Sequence, residues 1–137
     1  MTAPHPFVVI DANVLLYSLT GNARRHIFEP YLVGATVLIS FQTVGEIKFI
    51  ALRRKWGAQK MSDLDQHLRA TVVVPATEAI TNECAQLMYR QQAARSEIAW
   101  TDAWIAATAL VYGCPVVTND RGDFERIAGL PLLPPLA

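Results

Sequence analysis

Short apolar runs recur along the chain at Phe7–Ile10, Thr36–Ile39, Thr71–Val74 and Pro115–Val117. They are rich in β-branched residues and nearly continuous, the pattern of parallel strands covered on both faces. A fifth strand is expected near Leu130–Leu133, in a stretch crowded by Pro131, Pro134 and Pro135. Between these runs the period changes to that of helices. Ser40 is placed to cap a helix over Phe41–Arg54, and Ser62 with Asp65 forms a capping-box pattern before Leu64 and Leu68. Ile80, Cys84, Leu87 and Met88 share one helical face. Pro30 interrupts the segment Asn22–Val33, which has no settled reading. Strands alternating with helices predict an α/β fold with a mostly parallel sheet.

Composition narrows the class. The chain has 137 residues, of which 52% are hydrophobic and 18% charged, with no repeat and no linker-like stretch. This predicts one domain over 1–137 with an ordinary core and excludes intrinsic disorder. Cys84 and Cys114 form no C-x-x-C pair, so neither a disulfide framework nor a cysteine zinc site is expected, and a reducing cytoplasm fits. Met1–Ile10 has no basic region before its apolar stretch, which ends at Asp11; no secretory leader or membrane anchoring is expected. The longest uncharged run, Ala103–Asn119, contains Gly113 and Pro115 and reads as a buried helix followed by a buried strand.

Chemistry enters with the positions of the acids. Asp11 follows the first strand and Asp120 the fourth, and in open parallel sheets ligands bind outside the carboxyl ends of strands. Glu46 sits between Val44 and Ile47 on the helix after the second strand, and Asp102 opens a helix that looks apolar on every side. A carboxylate there needs a partner, yet no Lys or Arg lies between Glu97 and Arg121. Magnesium, which prefers oxygen ligands, would serve. Each acid alone has a plainer role: Asp11, Asn13, Asp102 or Asp120 as a helix or turn cap, Glu46 as a surface residue. Taken together, acids at strand ends and helix starts on one sheet edge favour a shared site.

The sequence resembles the PIN-domain ribonucleases, and among them the VapC-type toxins of bacterial toxin–antitoxin pairs. The matching motifs are Asp11-Ala12-Asn13-Val14-Leu15-Leu16, Val44-Gly45-Glu46-Ile47, Asp102-Ala103-Trp104-Ile105-Ala106-Ala107 and Thr118-Asn119-Asp120-Arg121-Gly122-Asp123-Phe124. Their order spans nearly the whole chain. The resemblance implies a three-layer sandwich, with a five-stranded, mostly parallel sheet between helices. It implies one or two Mg2+ or Mn2+ ions per site, hydrolysis of RNA to 5′-phosphate and 3′-hydroxyl ends, a cognate antitoxin and a homodimer. It makes Asp11, Glu46, Asp102 and Asp120 the catalytic acids and Asp11, Asp102, Asp120 and Asp123 the metal-facing ones. The division between Asp120 and Asp123 is left open. Asn13 and Thr118 correspond to residues that shape the two site loops.

Phosphodiester hydrolysis by paired metal ions requires no basic catalytic side chain. That suits a chain whose three histidines, His5, His26 and His67, read as surface residues. The balance of 12 Lys+Arg against 12 Asp+Glu looks unfavourable to nucleic acid. Assigning five acids to a metal pocket, however, leaves 7 against 12 basic residues. Lys48, Arg53, Arg54, Lys55 and Lys60 fall in an acid-free stretch with Trp56; Arg24 and Arg25 form a second pair. Arg53, Arg54, Lys55 and Arg121 are the expected RNA contacts, the alternative for the first three being a solvated helix end. Trp100, Trp104, Tyr89 and Met88 read as core or interface packing. Two other functions compete: a catalytically silent PIN-like module that binds RNA or protein, and an aspartate-dependent phosphoryl-transfer enzyme. The second lacks a carboxylate beside Asp11, where Asn13 stands, and any lysine after Lys60.

Overall fold

The computed structural model describes residues 5–135, so Met1–Pro4 of the N-terminal stretch, and residues 136–137, lie outside the described part. Five strands form one sheet: β1 (Phe7–Ile10), β2 (Thr36–Ser40), β3 (Val72–Val74), β4 (Val116–Val117) and β5 (Leu132–Leu133). Every pairing is parallel, in the order β3-β2-β1-β4-β5. The chain therefore builds outward from β1 in one direction and then in the other. The β1–β4 neighbourhood is the topological switch point, where a crevice opens beyond the strand ends. Asp11 and Asp120 flank it.

Helices cover both faces. Val8, Ile10 and Ile39 face a core shared with α1 (Ala12–Thr20), α2 (Arg25–Leu32), α3 (Phe41–Arg53) and α4 (Ala58–Arg69). Val9, Leu38 and Val116 face a second core with α5 (Glu78–Ala93), α6 (Trp100–Tyr112) and the short α7 (Arg121–Phe124). The alternation of Val8 and Val9 between two cores is the period of two expected of a strand buried on both sides. The outer strand β3 departs from that expectation, with Val72 47% and Val73 43% exposed, because an edge strand has a neighbour on one side only.

Local boundaries follow propensity and caps. Ser40 caps α3 as expected, its hydroxyl accepting the Gln42 N–H at 3.3 Å. The Ser62–Asp65 capping box does not form. Helix α4 starts four residues earlier, at Ala58, with Gly57 as its N-cap, because Ala58, Gln59, Lys60 and Met61 are all strong helix formers. Pro30 does not break its segment: α2 runs through it and ends two residues later, so little of the helix lies beyond the missing N–H. Helix α6 is buried along Ala103 and Ile105–Ala109 but not on every side, since Trp100, Val111 and Tyr112 are exposed.

Candidate active site

The loop between β1 and α1 is set by one side chain. Asp11 caps α1: its Oδ1 accepts the Val14 N–H at 3.0 Å, while its Oδ2 accepts the Thr118 hydroxyl at 2.5 Å. Thr118 follows β4, and its oxygen in turn accepts the Asp120 N–H at 2.9 Å. One buried hydroxyl thus joins the ends of two adjacent strands. Asn13 closes the ring from the other side, its Nδ2 donating to Asp120 Oδ2 at 2.8 Å. The capping and site readings of Asp11 are therefore compatible: the cap fixes the direction in which the carboxylate points.

Around this ring lies a cavity of about 160 Å³. Asp11, Glu46, Asp102, Asp120 and Asp123 all line it, with Ala12, Asn13, Thr101, Ile105 and Phe124. Glu46 arrives from the second turn of α3, Asp102 from the first turn of α6, and Asp123 from α7. Among the described residues, no Lys, Arg or His lines the cavity. Asp102 does not cap α6; Ala99 occupies that position. Thr101 and Ile105, which the sequence reading did not single out, flank Asp102 at positions i−1 and i+3. Helical spacing from Asp102 would have found Ile105, whereas Thr101 is only its chain neighbour.

Electrostatics marks the cavity as short of positive charge. Burial pushes the Asp102 carboxyl up to about 6, and Asp123, Asp11, Asp120 and Glu46 add to the effect. Burial also raises Asp11, against the lowering effect of its Thr118 and Val14 hydrogen bonds; Asp120 and Glu46 raise it further. Like charges crowded in a partly dry pocket favour a retained proton or a bound cation. The donor set fits a hard divalent ion: carboxylate oxygens from four elements and no competing cationic side chain. Among the described residues, no three His, Cys, Asp or Glu side chains are already drawn together into a metal-binding group. The hydrogen bonds just described hold Asp11 and Asp120 across the two loops, Thr118 donating to Asp11 and Asn13 to Asp120, and magnesium commonly keeps several waters in place of direct ligands.

Other expected residues fall elsewhere. Arg53, Arg54 and Lys55 end α3, roughly 10 Å along the helix from Glu46, and none lines the cavity. Arg53 instead lies over the Phe49 ring, 5.4 Å from its centroid, and Lys60 lies over Trp56. Arg121 is turned toward the C-terminal segment, where its Nη1 donates to the Pro134 carbonyl. His26 is exposed beside Glu29, whereas His67 is only half-exposed, with Nδ1 2.8 Å from the Asp63 carbonyl oxygen. Trp104 packs edge-on against Phe41, at 5.3 Å, while Trp100 is 57% exposed.

The PIN-domain family model matches residues 8–130, which contain every acid of this cavity. The chain belongs to the PIN-domain family. The plasmid stability protein StbB of Pseudomonas syringae pv. tomato is 29% identical, over 93% of this chain and 97% of that protein. Among solved structures, a chain of VapBC2 from Rickettsia felis, bound to a DNA fragment from its promoter, superposes with a TM-score of 0.79 at 22% identity. The match covers 92% of this chain and 96% of that one. VapC20 of Mycobacterium tuberculosis, described as a Sarcin-Ricin loop cleaving toxin, gives 0.68 at 20% identity, covering 90% and 95%. This PIN domain therefore has the fold of VapC proteins. No helix among its described residues is long and apolar enough to cross a membrane.

Proposed function

We propose that this PIN-domain protein is a divalent-metal-dependent endoribonuclease, the toxin of a toxin–antitoxin pair. The observation that carries the reading is the convergence of Asp11, Glu46, Asp102, Asp120 and Asp123 on one cavity without a counter-charge. Cleavage by VapC20 and the pairing of VapBC2 support the substrate and the partner assigned here.

A bound Mg2+ or Mn2+ supplies charge neutralisation at the phosphate and an acidified water. The protein's own contribution is placement. Asp11, held by Val14 and Thr118, presents a carboxylate fixed to the backbone on both sides of the switch point. Asp120 is held by Asn13, so the two loops keep a constant separation. Asp102, shifted to about 6, takes up a proton at a pH where an ordinary carboxyl stays ionised when no cation is present. Glu46, from α3, and Asp123, from α7, complete the oxygen set, with Asp123 as a further metal-facing group. RNA cut there is left with 5′-phosphate and 3′-hydroxyl ends. A cognate antitoxin occludes the site, and the protein works as a cytoplasmic homodimer.

The test is incubation of total RNA with the purified protein in magnesium, in manganese and in chelator, followed by mapping of fragment ends. The reading predicts cuts that require metal and leave 5′-phosphates. Cleavage that persists in chelator, or 2′,3′-cyclic phosphate ends, would reject it.

A further inference from the structure

Among the described residues no cationic side chain lines the cavity, yet a polyanionic substrate must be held beside five carboxylates. The basic cluster that closes α3 does not reach it, and Arg121 is engaged with Pro134. Arg24 does reach the loop that carries Thr118 and Asp120. Arg24, the residue before α2, extends its guanidinium to Asn119, with Nη1 3.3 Å from Oδ1. Asn119 lies between Thr118, which binds Asp11, and Asp120. Arg24 is exposed and makes no ion pair among the described residues, whereas its neighbour Arg25 pairs with Glu29 at 3.5 Å. The Asn22 side chain accepts the Arg24 N–H at 2.8 Å and fixes the backbone from which the guanidinium projects.

From this geometry we infer that Arg24 binds a backbone phosphate of RNA next to the scissile bond and so orients the strand in the acidic cavity. A guanidinium fork matches two phosphate oxygens, and its single long bond to a neutral amide is readily exchanged for a charged one. Arg24 is then a substrate-binding residue beside that loop, separate from the carboxylates inside the cavity. The inference rests on the proposed ribonuclease reading for its ligand.

The experiment separates the two claims by measuring binding apart from cleavage. In an Asp11→Asn background, which silences cutting, fluorescence anisotropy reads the affinity for a labelled single-stranded RNA over a series of salt concentrations. Adding Arg24→Ala is expected to raise Kd about tenfold at low salt. The slope of log K against log salt should become shallower by ~0.7, as for one lost phosphate contact on a single strand. Arg24→Lys should keep the slope and recover part of the affinity. Arg69→Ala, which removes one charge from the last turn of α4, should change neither. An unchanged slope in Arg24→Ala, an equal loss in Arg69→Ala, or no RNA binding by the Asp11→Asn protein would overturn the inference. Failure of the wild type to cut RNA in metal, with the Arg24 slope effect intact, would instead overturn the ribonuclease reading alone.

Discussion

Thr118 has a single hydroxyl group, and that group serves two acids at once. It donates to Asp11 and accepts from the Asp120 N–H, and the whole side chain is buried. Thr118→Val keeps the shape and removes both bonds, leaving a buried carboxylate short of a donor. The expected cost is about 2 kcal/mol of stability, with loss of nuclease activity; Thr118→Ser should restore most of both. Denaturant unfolding of the three proteins decides this, and equal stabilities would show that the bond matters little. Asp102 makes a prediction about pH. Its folded carboxyl lies near 6 and its ordinary value is 3.8, so between these values the folded state binds more protons than the unfolded one. Stability from this group is therefore present at low pH and is lost as pH rises through about 6. In chelator, the Tm should be higher at pH 5 than at pH 7, and Asp102→Asn should flatten that difference. A wild-type Tm that rises from pH 5 to pH 7 to the same extent as that of Asp102→Asn would contradict it. The identity of these acids was legible from residue type and position at strand ends. Their hydrogen bonds were not, because Asn13 and Asp120 meet across 107 residues of chain.

Helix α6 links the site to the core. Its first turn carries Asp102, and its middle, Ala103 and Ile105–Ala109, is buried against the sheet. Small alanines let it approach closely, so the depth of Asp102 in the cavity is set by core packing. The helix stops at Gly113, which adopts φ 64 and whose N–H returns to the last turn. A Cβ there would meet no atom within 4 Å, so Gly113→Ala tests backbone strain alone. It should cost about 1 kcal/mol, read as a lowered Tm with metal affinity unchanged. A stability equal to wild type would remove the claim. The element periods made the helices and inner strands readable, since each buries a regular stripe or a continuous run. Boundaries were less readable. Strong helix formers carried α4 back past Ser62, and one-sided pairing left β3 half-exposed in spite of its three valines. For a similar reason the basic stretch after Lys48 showed its density of charge in sequence but not its distance from Glu46.

On the scale of the whole molecule, the formal net charge of zero conceals a separation. Strand order brings β1 and β4 side by side although six helices and two strands separate them in sequence, and that adjacency gathers carboxylates from five points of the chain. The family motifs made this gathering readable before the fold was known; no local pattern would have placed Arg24 against the loop that carries Thr118 and Asp120. The central claim is that these carboxylates are one divalent-cation site. Calorimetric titration of the chelator-stripped protein with Mn2+ tests it most directly, with wild type beside Asp11→Asn. The account predicts saturable binding by the wild type and strongly weakened binding by Asp11→Asn, which should remain folded because Asn can still accept the Val14 N–H. Equal Mn2+ affinity in the two proteins would contradict it.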